Sequence, residues 1–496
     1  MFIAKKIASF NFISFRGHPE GHIQLNTRLS SLIRIWGLIL LTLHIAAPAL
    51  HAETMWSMWP YTFLPIWLAW SGALLVATLT LPPVSRFVAS LLDCIPLFQE
   101  QPLKNSKTFR VLNPYISLIV LLGGGLFYMA RLGHLRWGDG YFLTLLLPHP
   151  DPTIRVIYNW QAPLTVLLHQ RIWQFVADPL WGGSVAQVYA TISIVSGMLF
   201  VYLMLNFALH LGRDQLERAT IAGLVLSTGS MQLFFGYVEN YTLISVGLLI
   251  SMIVGWLALQ GRIQPFWPIL SLSVTNCFHP STVFLWPGMF WLMWRCYQRG
   301  HVRGADGLVQ LVITPLLIGG TVFAIMEMGG HGLNSLAGAD RPGGGDGIWF
   351  VPFFAVDPTN PWQRYSMFSP AHLLDWANIH LLISPFGLPL IGLTMWHSTR
   401  TLFATTQERD FAEFLGLTSL MYVGLTFVWN ADYGGQKDWD LFAPSAFVYT
   451  VLVGYCLVRA MPHRAELREA GLFAIAVSLL HTASWIFANT HYLPHD

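Results

Sequence analysis

Long apolar runs separated by short polar segments make up most of this chain. The runs are continuous and do not alternate at every second residue, so they predict helices and not the strands of a membrane barrel. A helix crosses a bilayer with about 20 apolar residues. We predict an all-α, polytopic transmembrane helix bundle with 13 spans, at residues 35–50, 62–81, 114–131, 185–210, 219–236, 241–260, 264–278, 281–297, 308–327, 376–396, 411–430, 441–461 and 470–488. The pair on either side of His279 is also open to interpretation as one bent element.

Composition supports a membrane protein and excludes several other classes. Of the 496 residues, 54% are hydrophobic and 10% are charged, whereas soluble domains carry about 25% charged residues. A net charge of +2 argues against a nucleic-acid partner. The four cysteines lie far apart, so the sequence indicates neither a disulfide framework nor a zinc site.

The distribution of Lys and Arg predicts the orientation, because cytoplasmic loops retain these residues. With a cytoplasmic N-terminus, the outer side holds only 7 of the 27, namely Arg131, Arg136, Arg155, Arg171, Arg341, Arg364 and Lys437. We interpret residues 35–50 as a signal anchor instead of a cleaved signal, since Leu50 stands where a signal peptidase prefers a small residue. The remaining apolar helices then follow in alternating directions.

The first long outer segment, residues 132–184, contains an amphipathic run at 162–177. Apolar Leu164, Leu168, Ile172 and Phe175 share one helical face, and Gln170 and Gln174 lie opposite. We predict an interfacial helix that lies along the membrane surface.

Asp139 lies between Gly138 and Gly140, just after the span at 114–131, and therefore at the outer membrane surface. A carboxylate so close to hydrocarbon is costly unless it faces water or a ligand. Its flanking glycines let the chain turn and leave the side chain accessible, which suits a general base. The alternative is an ordinary turn-forming Asp. Arg136 and Tyr141, which lie close to Asp139 in the sequence, are candidates for substrate binding.

A second candidate is the sequence Lys437-Asp438-Trp439-Asp440. In an extended backbone alternate side chains point the same way, so Asp438 and Asp440 would be able to hold one divalent cation, Mg or Mn, as a cofactor. Lys437 would then meet a phosphate. The alternative is an interfacial Trp anchor flanked by solvated charges.

Three further outer loops supply polar candidates for substrate binding. Glu239 and Asn240 lie in a short connection between two apolar runs, beside aromatic residues that suit either a sugar site or an interfacial belt. His279 precedes a proline and interrupts an apolar segment, and broken helices at membrane depth tend to line cavities; a lone His is otherwise a structural residue. Asp432 is a supporting carboxylate or a plain loop residue.

An exposed Asp in the first outer loop, followed by an amphipathic segment and many spans with polar outer loops, resembles the GT-C superfamily of integral-membrane glycosyltransferases. The resemblance covers residues 111–490 as topology, with Gly140 where a second acid often stands. It implies two parts, residues 1–110 as an N-terminal segment with a two-helix extension and residues 111–496 as the catalytic core.

The same resemblance implies Asp139 as the catalytic base of an inverting transfer. The donor would be a polyprenyl-phosphate-linked sugar and the acceptor a hydroxyl group. The implied location is a bacterial inner membrane, with membrane lipids as neighbours and the active site on the periplasmic side.

Two other classes remain open. A secondary transporter or flippase would place ionisable groups near mid-membrane and show related halves, and the sequence shows neither. A non-catalytic scaffold would explain the spans but not the acids on one side.

Overall fold

The computed structural model describes residues 19–50, 54–93, 98, 113–151, 154–337, 348–397 and 402–491. Within these ranges the chain is helical, with one isolated bridge between Phe350 and Trp429. The α-helices are α1 Pro19–Ala46, α2 Ile66–Thr78, α3 Pro82–Asp93, α4 Pro114–Met129, α5 Gly140–Leu146, α6 Pro163–Ile172, α7 Asp178–Trp181, α8 Val185–Leu211, α9 Gln215–Leu226, α10 Thr242–Leu259, α11 Phe266–Phe278, α12 Trp286–Gln298, α13 Gly304–Met328, α14 Leu333–Ala337, α15 Pro370–Ile383, α16 Gly387–His397, α17 Thr406–Val428, α18 Trp439–Ala460 and α19 Arg464–Thr490.

Side-chain caps begin several of the long helices. Ser184 accepts a hydrogen bond from the Gln187 amide and completes a capping box at the start of α8. Thr405 does the same with Glu408 at the start of α17. Such caps satisfy amides that the helix itself leaves without a partner, so the ends of these apolar helices are fixed locally by sequence.

Seven helices in the described ranges are long and apolar enough to cross a membrane. They are Arg28–Ala49, Val185–Leu211, Thr242–Leu259, Gly304–Met328, Thr406–Val428, Trp439–Ala460 and Arg464–Thr490. Two helix pairs, bent by 95° and 97°, raise the number to nine if each pair is one span. The structure therefore confirms an all-helical membrane protein, and the count of 13 stays a prediction.

The predicted span at 219–236 is not a continuous helix. α9 ends at Leu226, and a 3-10 turn, Gly229–Phe234, follows. Gly229 packs directly against the Leu382 carbonyl, where a Cβ has no room, and the Ser230 hydroxyl donates to the Ala443 carbonyl at 2.8 Å. The chain leaves the helix because this turn wedges between α15 and α18, which a hydropathy pattern cannot reveal.

The amphipathic run at 162–177 forms α6 and a π turn, Trp173–Ala177. Gln170 is buried, whereas Leu168 and Phe175 are exposed. The buried face of α6 also contains Pro163 and Val166, so the division into an apolar and a polar face stays a prediction. Its placement along a membrane surface stays a prediction.

α18 is the central helix of the bundle, because 89% of the residues in its apolar 18-residue stretch are buried. The corresponding share is 6% for α13, which lies at the periphery. α18 packs against α9, α10, α15, α16 and α17. With 22 residues it is about 33 Å long at 1.5 Å per residue. Asp438 and Asp440 lie at its start and Arg459 at its end, so α18 connects two chemically different layers.

Candidate active site

Three of the loops that are predicted to lie on the outer side meet around Gly138 and Asp139. The Gly138 amide donates to the Lys437 carbonyl at 2.9 Å, and the Asp139 amide donates to Oε1 of Glu239. Gly138 has a φ of +53°, a conformation that glycine adopts at little cost. The convergence that the charge pattern suggested is therefore present in the fold.

The carboxylates of Glu239 and Asp440 both press against Gly138. A Cβ built on this glycine would lie 2.5 Å from Oε1 of Glu239 and 2.6 Å from Oδ2 of Asp440. Both acids are 1% exposed. Oε2 of Glu239 accepts from the Asn240 amide at 2.9 Å. Only a residue without a side chain lets these two acids approach the Asp139 loop so closely.

The extended backbone predicted for Asp438-Trp439-Asp440 is wrong. α18 begins at Trp439, which places Asp440 in its first turn. Oδ2 of Asp438 accepts from the Tyr433 amide at 2.7 Å. Trp439 is fully buried and packs against Tyr237 and Trp485, so this tryptophan is not a surface anchor. Asp438 makes no side-chain cap hydrogen bond to this helix, and Oδ2 of Asp440 is buried without a hydrogen-bond partner among the described residues.

The described residues contain no group of three or more His, Cys, Asp and Glu side chains arranged to hold a metal ion. Oδ2 of Asp438 and both oxygens of Glu239 already accept backbone amides. The cation suggested for Asp438 and Asp440 stays a prediction, and no chemical step below depends on it.

Burial raises the pKa values of three acids at this junction. Burial is the main cause for Asp139, where the Tyr433 hydroxyl opposes the rise. Burial, followed by the charges of Asp440 and Asp139, holds the pKa of Glu239 well above its usual range. Burial and the charge of Asp440 do the same for the pKa of Asp438. Crowded carboxylates that are hard to ionise are typical of functional sites.

Two cavities meet at Asp139. The acid-lined cavity, of about 290 Å³, is bordered by Gly138, Asp139, Gln161, Glu239, Tyr241, His279, Pro280, Ser281, Val283, Phe284, Trp349, Phe350, Trp429, Asn430, Asp432, Tyr433, Asp438, Asp440 and Leu441. None of these described residues is Lys or Arg. A larger apolar-walled cavity, of about 570 Å³, is bordered by Asp139, Phe142, Leu143, Leu146, Leu147, Val156, Asn159, Gln161, Ala162, Val166, Asn240, Trp362, Asp432 and Tyr433. Asp139, Gln161, Asp432 and Tyr433 belong to both linings.

Seven of the ten candidates from the sequence line these cavities: Asp139, Glu239, Asn240, His279, Asp432, Asp438 and Asp440. Arg136 instead lines a separate cavity of about 110 Å³, among Trp56, Trp59 and Trp137. The side chains of Tyr141 and Lys437 are exposed and border neither of the two cavities.

Tyr433 is a site residue that the sequence reasoning missed. Its hydroxyl donates to Oδ1 of Asp139 at 3.3 Å, and burial, followed by the charge of Asp139, raises its pKa. The one available signal was its position beside Asp432 in a glycine-rich outer loop. Trp349, Phe350 and Trp429 of the acid-lined cavity were missed as well, because aromatic residues at membrane surfaces are common.

No family model and no curated protein matches this chain. Among solved structures, the chain is similar to ArnT from Cupriavidus metallidurans, whose crystal structure contains bound undecaprenyl phosphate. The two chains are 11% identical with a TM-score of 0.46, and the match covers 76% of each. At this identity and TM-score the likeness carries no argument about function.

Proposed function

We propose that this protein is a membrane glycosyltransferase in which Asp139 is the general base. The donor is a polyprenyl-phosphate-linked sugar, and the acceptor is a hydroxyl group on the extracytoplasmic face. The observation that carries the proposal is the position of Asp139 at the junction of an acid-lined and an apolar-walled cavity. A lipid-linked substrate needs both environments close to the reacting atoms.

The chemistry is an inverting displacement. Asp139 accepts the proton of the acceptor hydroxyl, and the acceptor oxygen forms a bond to the anomeric carbon. The bond from that carbon to the phosphate oxygen breaks, and the lipid phosphate leaves with the electron pair. A raised pKa makes Asp139 a stronger proton acceptor, and the hydrogen bond from Tyr433 keeps its ionised form accessible.

The leaving phosphate needs a positive group, which neither cavity lining provides among the described residues. Two exposed cations lie on the nearby outer segments. Lys437 belongs to the loop that hydrogen-bonds Gly138. The Arg364 guanidinium lies against Gly434, where a Cβ would come within 2.6 Å of its Nη1. We assign stabilisation of the phosphate to these two exposed residues.

The test is transfer by purified Asp139→Asn in proteoliposomes. Radiolabelled polyprenyl-phosphate sugars are incubated with a lipid and glycan extract of the source cells. Removing a general base typically costs 10²- to 10⁴-fold, so we expect a loss of that order in label transfer. Asp357→Asn is the matched control, because Asp357 is exposed on an outer segment and accepts only from Thr359 in its own turn. Turnover by Asp139→Asn equal to this control would overturn the proposal.

The cation has a separate test. Transfer by the wild-type protein is measured with and without a chelator, beside Asp438→Ala and Asp440→Ala. If a cation takes part, chelation and both substitutions lower activity together. If chelation has no effect, the cation is discarded without affecting the role of Asp139.

A further inference from the structure

His279 lies at the break between α11 and the 3-10 turn Pro280–Leu285, and its side chain caps that turn. The Ser281 amide donates to Nδ1 at 3.2 Å, and the Ser281 hydroxyl lies 2.8 Å from the same nitrogen. A backbone amide can only donate, so Nδ1 must be the acceptor. The proton of the neutral imidazole is therefore on Nε2.

The Nε2–H group has no acceptor among the described residues, although the His279 ring is only 5% exposed. The ring borders the acid-lined cavity, beside Tyr241 at 5.2 Å between ring centroids. Burial lowers the pKa of His279 to about 4, so the ring is neutral at physiological pH. Nε2 is not among the fully buried atoms that lack a partner, so its N–H group is accessible from the cavity and can donate to a ligand.

Apart from His279, the ionisable side chains of this cavity that can carry a charge near neutral pH are all carboxylic acids among the described residues. Five carboxylates border it, those of Asp139, Glu239, Asp432, Asp438 and Asp440. A phosphate brings only acceptors and more negative charge, so every ionised carboxylate of this cavity repels it. A sugar hydroxyl can donate to a carboxylate and accept from an imidazole at the same time. Trp349 and Trp429 add flat apolar faces to the same walls.

We propose that Nε2–H of His279 donates to a hydroxyl oxygen of the transferred sugar, and that the acid-lined cavity takes the uncharged polyhydroxyl part of the substrate while the phosphate stays outside it. This inference rests on the proposed glycosyl transfer and names which part of the substrate occupies which space. His279 is then a specificity residue, because it distinguishes a sugar with an acceptor oxygen at that position from one without it.

Two substitutions distinguish the role of Nδ1 from the role of Nε2. In His279→Asn the side-chain oxygen occupies roughly the place of Nδ1, so the cap on the Ser281 amide is retained and the donor is lost. In His279→Gln the amide nitrogen reaches roughly the place of Nε2, so the donor is retained and the cap is lost. A merely structural role would make His279→Asn the milder variant in every assay.

We expect the opposite order in transfer. His279→Asn should keep the wild-type melting temperature but raise KM about tenfold, the ratio that corresponds to a lost hydrogen bond of about 1.4 kcal/mol. His279→Gln should melt at a lower temperature but transfer sugar with a KM closer to the wild type. Wild-type KM in His279→Asn, or equal loss in both variants, would overturn the assignment.

A second measurement does not need transfer. In ¹⁵N-histidine NMR spectra of the full protein, the His279 signal is assigned by its absence in His279→Gln, and the one-bond coupling shows which nitrogen carries hydrogen. Excess glucose should shift this signal, whereas inorganic phosphate should not. A shift with phosphate alone, or with neither probe, contradicts the inference. A glucose shift in a protein that transfers no sugar would instead contradict the proposed function and leave the cavity assignment in place.

Discussion

Gly138 is the residue whose backbone brings the acids of the site together. Its φ is +53°, and two carboxylate oxygens lie within 2.6 Å of the position that a Cβ would occupy, so there is no space for a methyl group. We predict that Gly138→Ala destabilises the protein by about 1–3 kcal/mol, the range for strained backbone positions. It should also abolish most transfer, because Glu239 and Asp440 must move away from the Asp139 loop.

Gly182→Ala provides the matched control. Gly182 has a similar φ of +65°, but nothing lies within 4 Å of its Cβ position. Both variants carry the same conformational cost, so the larger loss in Gly138→Ala measures the crowding by the acids. Equal melting temperatures and equal transfer rates in the two variants would contradict this account of Gly138.

Tyr433 tunes the base by a single hydrogen bond. Burial raises the pKa of Asp139, and the Tyr433 hydroxyl, 3.3 Å from Oδ1, lowers it. In Tyr433→Phe the opposing effect disappears, so the pKa of Asp139 rises further. Because only the ionised carboxylate accepts a proton, the acidic limb of the rate-against-pH profile should move to higher pH. An acidic limb at the wild-type pH would show that this contact does not act on the base.

Individual site residues could be predicted from the sequence where a charged side chain occurs directly beside an apolar span. Asp139 and Glu239 stand out because carboxylates beside apolar spans are costly. Tyr433 and Trp429 do not, since their roles depend on contacts with residues distant in sequence; Tyr433 and Asp139 are 294 positions apart. Arg136 was assigned to the site by its nearness to Asp139, but its side chain lines a different cavity.

At the scale of elements, the loop before α18 is held in place by Asp375 of α15. Its Oδ2 accepts from the Gly435 amide at 3.1 Å and from the Tyr365 hydroxyl at 2.8 Å. Its Oδ1 accepts from Nε1 of Trp56 at 2.9 Å. One carboxylate thus ties together three separate segments at the acid end of α18, close to Tyr433 and Asp438.

We predict that Asp375→Ala loosens this loop. Three donors lose their acceptor, each at a cost of about 1–3 kcal/mol where water does not replace it. Hydrogen exchange at residues 432–438 should become faster, and transfer should fall although no substrate contact has been removed. Trp56→Phe is the control, because it removes one donor and leaves the Gly435 bond intact. Unchanged exchange in Asp375→Ala would refute the anchoring role.

Long helices were the most predictable elements, and short breaks the least. The spans predicted at 185–210 and 241–260 match α8 and α10 to within a few residues, because uniform apolar runs have few alternatives. The break after Leu226 and the helix start at Trp439 were missed. Both depend on packing against distant helices, as Gly229 does against Leu382, and apolar composition alone does not encode such contacts.

At the scale of the whole molecule, charges form two layers at opposite ends of α18. At its start, the carboxylates border the acid-lined cavity, whose described lining contains no Lys or Arg side chain. At its end Arg459 is 4% exposed and pairs with Glu217 at 2.7 Å and with Glu408 at 3.1 Å. Arg464 also pairs with Glu217, at 3.0 Å. The charge count predicted which end holds the arginines, but not that the buried ones would be paired with acids.

This division predicts the orientation in the membrane, since arginine-rich ends remain in the cytoplasm. Gln436 is exposed at the acid end and Arg303 at the arginine end. We expect Gln436→Cys to react with a membrane-impermeant maleimide in intact cells, and Arg303→Cys to react only after permeabilisation. All four native cysteines are first replaced by serine, and the background must keep the wild-type melting temperature. The reverse labelling pattern would place Asp139 in the cytoplasm, where the proposed transfer would have to use an acceptor on that side.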